Sequence, residues 1–393
     1  MGIRQIFIFL KCVFIILFIC SCNKKVSAPV YTSTPQSFSE LFEEYWNGMN
    51  TNYVFWDIDT TDWDAVYERY QPLFAKLNLE NDSDKVKSVQ YFKNMNGGLI
   101  DSHYNLSFSL PGISGTVIFP PANRKVTKSG YHAPYFYLSV DSLLFDKGHI
   151  AGTYLTSDNS QMLVDFARID GKTLYFHCDH FALYEAYHSA SENNARPVMD
   201  SFFNAISNLT TGTNGIIIDV RNNDGGNIED LGFLIGRFID KTLKFGYSRY
   251  KNGNGRFDYT PWISADIVPQ SNVKPLSIPI VVLADNYSIS LAETVAMAIH
   301  TLPTGKFIGE TTWGATGGIT DNVIYNDGQF EIPGMLSVYM ASSEFKYLDG
   351  KNYEGSGFSP DIVVPFDLSA LKAKTDPPLQ KAIYYINNFK GSQ

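Results

Sequence analysis

Along this chain of 393 residues the spacing of apolar positions changes character several times. An unbroken apolar run, Val13 to Cys20, lies behind Arg4 and Lys11. It is short for a membrane span, so residues 1–21 read as an export signal. No period is visible to about Pro35, and 22–35 reads as a tether. Helical spacing then takes over. Ser37-Phe38-Ser39-Glu40 is a capping-box pattern opening a helix with Leu41, Tyr45 and Trp46 on one side. A second helix is predicted from about Asp62 to Leu77, with Trp63, Val66, Tyr67 and Tyr70 in register. A third runs from about Asp84 to Met95 and stops at Gly97-Gly98. Residues 36–103 therefore read as an N-terminal helical domain.

From Tyr104 to about Asp170 the runs become short and alternating, as in YFYLSV, and 104–170 reads as a β-rich inserted region. Beyond Gly171 the apolar strands TLYFHC, GIIIDVR, PIVVLA and KFIGE alternate with helical stretches near 228–240 and 290–301. LSVYMA and DIVVPF read as further strands and 377–389 as a last helix. Continuous apolar strands alternating with helices imply an α/β core over 171–393, its sheet buried on both faces.

Charge narrows the choice of partners. Of 31 basic residues, Arg4 and Lys11 leave with the signal, so 29 face 40 acidic ones, a net charge of −11. That balance, with no basic cluster, excludes general nucleic-acid affinity. Ile19-Cys20-Ser21-Cys22 resembles a bacterial lipobox, with a small residue before Cys22. Cys22 is therefore expected to carry lipid and to hold the chain at a bacterial membrane of the cell envelope, the outer one, periplasmic or surface-exposed. Cys178 is then the one unmodified cysteine and reads as a buried thiol. No spacing suits a metal site.

The candidate chemistry starts in ADNYSISLAETV, residues 284–295, where a strand becomes a helix at two serines. A serine there either caps the helix or presents a hydroxyl beside amide dipoles. Three other segments stand in order with it: GIIIDVRNNDGGN (215–227), IGETTWGATGG (308–318) and YEGSGFSPDIVV (353–364). Together they resemble the tail-specific (C-terminal-processing) serine peptidases and the related tricorn-type core, over roughly Gly171 to Phe366. GLIDSHYNL (98–106) adds that family's Asp-x-His segment.

The resemblance implies a crotonase-like α/β core, a serine-type peptidase working through an acyl-enzyme, no cofactor, and a peptide or protein substrate. It carries the nucleophile to Ser290 and leaves Ser288 to the turn. The oxyanion hole falls to the N–H of Leu291 and that of Gly225 or Gly226. Ala315 stands where the Ser–Lys branch has its lysine, and Lys306 reads as solvated. In the tricorn-type branch the base is a histidine, matched by His103, with Ser102 and Glu354 completing the relay; Glu344 and Glu310, close in sequence, are the alternatives to Glu354. His177 and His180 compete for that role but read as structural or substrate-lining. Asp219 and Asp224 read as turn residues and ion-pair partners of Arg221. Residues 104–170 are short for a PDZ domain and lack its carboxylate-binding loop. A non-catalytic lipoprotein holding a peptide, apolar ligand or glycan on the same fold is the rival reading.

Overall fold

Side-chain caps start the first three helices. Ser37 Oγ accepts the Glu40 N–H at 3.1 Å to open α1 (Phe38–Asn52). Asp62 and Asn81 do the same for α2 (Trp63–Phe74) and α3 (Asp82–Asn96). The computed structural model describes residues 30–391 except 129, 272, 275 and 321–327. The expected signal, Cys22 and most of the tether lie outside the described residues. No helix among those described is long and apolar enough to cross a membrane.

Two short strands, β1 (Asn105–Phe108) and β2 (Val117–Ile118), precede the short helices α4 (Pro120–Val126) and α5 (Leu138–Asp141). Strands β3 (Ile150–Leu155), β4 (Gln161–Ile169) and β5 (Thr173–Cys178) follow. Helices α6 (Leu183–His188) and α7 (Ala195–Ser207) lead to β6 (Gly215–Asp219). Next come α8 (Glu229–Ile235), β7 (Leu243–Tyr250), β8 (Ile263–Ile267) and β9 (Ile280–Ala284). The chain continues through α9 (Leu291–Thr301), β10 (Gly305–Gly309), β11 (Gln329–Ile332), β12 (Leu336–Tyr339) and β13 (Ser343–Tyr347). It ends with β14 (Ile362–Val363), α10 (Leu368–Lys372) and α11 (Pro377–Asn387).

The central sheet has the order β14-β10-β9-β6-β5-β4-β3, parallel from β14 to β5 and antiparallel through β4 and β3. Every residue of β5, β6 and β9 is buried, which explains their continuous apolar runs. Alternate residues serve opposite layers: Ile216 and Ile218 face α7 and α9, whereas Ile217 meets Leu379 and Ile386 of α11.

The span 104–170 is not a β-rich unit of its own. β3 and β4 extend the central sheet, so a boundary at 170 falls between hydrogen-bonded strands. The YFYLSV run ends in α5, with Leu138 and Val140 buried. A short apolar run carries no length signal to separate helix from strand. β1 and β2 instead pair with distant partners in a sheet ordered β11-β12-β1-β2, so LSVYMA lies there and not in the central sheet. Phe330, Ile332, Leu336 and Val338 share one core with Phe42, Tyr45, Phe74 and Phe92. Residues 36–103 thus close their core on strands from the far end of the chain.

Candidate active site

Beyond β9 the chain turns through residues 285–289 into α9. Ser288 is fully buried there, accepting the Asp285 N–H at 3.0 Å and donating to Val220 O at 2.6 Å. Its hydroxyl is committed to the turn. Ser290 stands at the head of α9 with φ 56° and ψ −114°. For a residue with a β-carbon that conformation costs about 1–3 kcal/mol and persists only where the surroundings enforce it.

Glu293 is part of that enforcement. Fully buried, it accepts the Ser290 N–H at 3.1 Å, the Thr312 hydroxyl at 2.5 Å, and the Gly314 and Ala315 amides, both at 2.6 Å. Burial raises its pKa and these hydrogen bonds oppose the rise. Ala315, where the dyad lysine is missing, therefore supplies a backbone donor to the carboxylate that holds Ser290. Lys306 lies 3.2 Å from Asp361 in an ion pair rather than merely in solvent.

On the other side of Ser290 sits the turn after β6. The Ile289 N–H donates to Asn223 O at 2.9 Å, tying the two turns together. Gly225 has φ 98°, and a β-carbon on it would lie 2.8 Å from Ser290 Cβ and 3.2 Å from Leu291 N. Its N–H donates to Asn223 Oδ1 at 2.9 Å. Gly226, at φ 139°, faces Phe181, and that pairing uses the Gly225 carbonyl and the Asn227 amide. The Gly226 N–H is the one left over, so of the two glycines it is the donor without an acceptor among the described residues.

His103 arrives from the start of β1. Asp101 Oδ1 accepts its N–H at 2.8 Å, and Oδ2 accepts the Ala341 N–H at 2.9 Å. Glu354 is buried, accepting the Ser102 N–H and the Gly317 N–H, each at 2.7 Å. A ring nitrogen of His103 and one carboxylate oxygen of each of Asp101 and Glu354 all lie within 4.8 Å of one another. Four backbone N–H groups aimed at these carboxylates fit them as hydrogen-bonded acceptors, not as a metal cage. His103 Nδ1 is buried without a hydrogen-bond partner among the described residues. Burial pushes its pKa down to about 4. The Ser102 N–H donates to Glu354, and its hydroxyl donates to Ile100 O at 3.4 Å.

The loop 312–317 thus joins the two halves, Glu293 taking its Gly314 and Ala315 amides and Glu354 its Gly317 amide. The competing histidines sit elsewhere in their networks. His177 is buried in β5 with Nδ1 3.1 Å from Asp219 O. His180 pairs with Asp224 at 2.6 Å on the rim beside Gly225. Asp224 is therefore not a partner of Arg221, which is buried among Asp219, Asp141 and Asp376 at 2.6–2.8 Å.

Glu293 and Asp101 join the site beyond the residues singled out in the sequence, although the Ser-x-x-Glu spacing from Ser290 marks the first and the Asp-x-His segment holds the second. Arg124 and Lys125 of α4 also reach the site, and no local pattern points to them. Lys125 Nζ stands 4.8 Å over the Trp313 ring, and Arg124 Nη2 donates to Ile100 O at 3.3 Å.

Residues 172–364 match the model of peptidase family S41, and residues 34–86 that of the tricorn protease C1 domain. The chain is 29% identical over 175 residues to the carboxy-terminal processing protease CtpA of Bacillus subtilis, covering 44% of this chain and 33% of that one. It is 25% identical over 170 residues to the tricorn protease of Thermoplasma volcanium, covering 43% and 14%. The chain thus spans a third or less of the length of these relatives. Among solved structures, one from Parabacteroides merdae superposes with a TM-score of 0.67 at 23% identity, covering 90% of this chain and 97% of that one. Mature CPAF superposes at 0.61 with 13% identity, covering 91% and 99%. At these identities the structures establish the fold, a mixed α/β architecture with a helical N-terminal region.

Proposed function

We propose, from the premise that this chain belongs to peptidase family S41 through residues 172–364, that it is a serine peptidase with Ser290 as nucleophile and His103 as base. The observation that carries this reading is the convergence on one loop. Glu293 holds Ser290 from one side of 312–317, and Glu354 stands beside His103 on the other. Ser290 Oγ attacks the scissile carbonyl while His103 takes its proton. The oxyanion forms against the N–H groups of Leu291 and Gly226, a pair of donors of which each is worth about a hundredfold or more in rate. Collapse expels the amine with the proton from His103, and water then cleaves the ester by the same route. Asp101 and Glu354 act by orientation and charge, and Ser102 by its N–H on Glu354. No step calls for a cofactor.

Fluorescein-labelled casein is expected to be hydrolysed by the purified chain at the same rate with and without EDTA. Folded protein that leaves casein intact and takes up no serine-directed reagent overturns the reading. We also propose that lipid on Cys22 anchors the chain in the cell envelope, supported by the apolar run and the small residue at 21. Mass spectrometry of the mature N-terminus is expected to find acyl chains on Cys22. An unacylated terminus at another residue refutes the anchor.

A further inference from the structure

The turn that brings Gly225 and Gly226 to Ser290 is closed by a side chain with no task in the chemistry above. Asn223 is fully buried. Its Oδ1 accepts the Gly225 N–H at 2.9 Å. Its Nδ2 donates at 2.8 Å to the carbonyl of Cys178, the last residue of β5, and lies 3.5 Å from Cys178 Sγ. Its own carbonyl accepts the N–H of Ile289, one residue before Ser290, at 2.9 Å, and its N–H donates to Val220 O at 3.3 Å. A primary amide offers two donor hydrogens and one acceptor oxygen, and here both ends are engaged. Asn223 therefore joins the end of a buried strand, the glycine turn and the turn that carries the nucleophile.

Two glycines in succession give that turn little stiffness of its own, since glycine moves freely through the positive φ values found there. Two sets of hydrogen bonds hold it instead. The Phe181 N–H donates to Gly225 O at 2.7 Å, and Phe181 O accepts the Asn227 N–H at 2.9 Å. Asn223 fixes the remaining peptide, between Asp224 and Gly225, by drawing its N–H inward. With that N–H occupied, the exposed Gly226 is the glycine whose N–H has no acceptor among the described residues. The Ile289 bond adds a second constraint. The Gly226 and Leu291 amides belong to different elements, and two donors serve one oxyanion only while their separation holds to within about 0.5 Å.

We infer that Asn223 is a positioning residue of the oxyanion hole. Buried away from the substrate, it holds the Gly225 peptide inward and the 285–289 turn alongside, and so keeps the Gly226 and Leu291 N–H groups set for the charge that develops in the transition state. The inference rests on the peptidase reading. Donors already in place cost no reorganisation as the oxyanion forms, so the side chain acts on kcat and leaves ground-state binding alone.

The test uses the full chain, a fluorogenic peptide built on a bond that the wild type cuts in casein, and the trifluoromethyl ketone of that peptide. Addition of Ser290 Oγ to the ketone carbon turns its carbonyl oxygen into an oxyanion in the hole. Asn223→Ala is expected to lower kcat about a hundredfold with KM within about twofold, and to weaken the ketone by the factor lost in kcat/KM. The cleaved product peptide should bind as before. Asn223→Asp keeps an acceptor for the Gly225 N–H and should recover part of both losses. A purely structural role would shrink the folded fraction, read by circular dichroism, and scale the rate without moving the inhibition constant of the ketone. A second measurement needs no variant: in wild-type chain carrying 15N-glycine, the ketone should move the Gly226 amide proton downfield and leave that of Gly225 in place. Unchanged kcat and ketone inhibition in both variants, or a Gly225 amide that moves downfield in place of Gly226, overturns the inference, while fluorophosphonate labelling of the wild-type serine keeps the peptidase reading. A wild type that cuts no casein and takes up no fluorophosphonate removes that reading and the inference with it.

Discussion

Ser290→Ala is expected to abolish covalent capture of a fluorophosphonate and to lower peptide hydrolysis about a millionfold, to the level of binding alone. The reagent reports a hydroxyl that is both activated and next to oxyanion donors, and here only one of the paired serines is so placed. Ser290 heads α9 beside the Leu291 amide and the Gly225-Gly226 turn, whereas Ser288 Oγ is buried between Asp285 N and Val220 O. Ser288→Ala should therefore leave the chemistry of labelling in place and cost stability instead, about 1–3 kcal/mol for a buried amide and carbonyl left without their partner. Intact-mass and peptide mapping distinguish the two serines. Capture that survives Ser290→Ala, or a modified peptide containing Ser288 in the wild type, overturns the assignment of the nucleophile.

His103→Ala should slow labelling and turnover by about a hundred-thousandfold while the chain stays folded, because without a base the serine hydroxyl is a poor nucleophile. The pH dependence carries the sign. A general base works in its deprotonated form, so kcat/KM holds above the pKa of the base and falls as pH drops through it. Burial puts the His103 pKa at about 4, and burial raises Asp101, which accepts the His103 N–H, to about 6. The two titrate as one cluster with Glu354, so the acid limb is expected between about pH 6 and pH 4, well below that of a solvent-exposed histidine. An acid limb near neutrality, or labelling that ignores His103→Ala and depends on His180→Ala, would move the base to the His180–Asp224 pair. His180 has its pKa raised by the Asp224 hydrogen bond, so the two assignments differ in the direction of the shift as well as in the mutant.

Elements whose signals are local were legible in the chain alone. Ser37 and Asp62 cap helices where the spacing begins. β5, β6 and β9 show themselves as continuous apolar runs because both faces of the sheet are covered. The turn that presents Ser290 was legible for the same reason, being a strand, two serines and a helix with glutamate three residues on. The lipidation proposed at Cys22 rests on a local pattern too, in a segment outside the described residues.

Strand pairing and side-chain burial at a distance were not legible. Nothing around Asn105–Phe108 says that its partner is Leu336–Tyr339, because a ladder uses backbone groups that every residue carries. For the same reason a β-rich unit over 104–170 looked self-contained, whereas its strands are shared between two sheets. The site divides along that line. Residue types at 103, 290 and 354 are properties of the sequence, and so is the absence of lysine at 315. That Glu354 meets the Ser102 amide across 252 positions, that Gly226 rather than Gly225 keeps a free N–H, and that Arg124 and Lys125 arrive from α4 were decided by tertiary structure. Carboxylates and cations buried here take whichever donors and acceptors the fold brings within about 3 Å, and those partners lie on other elements.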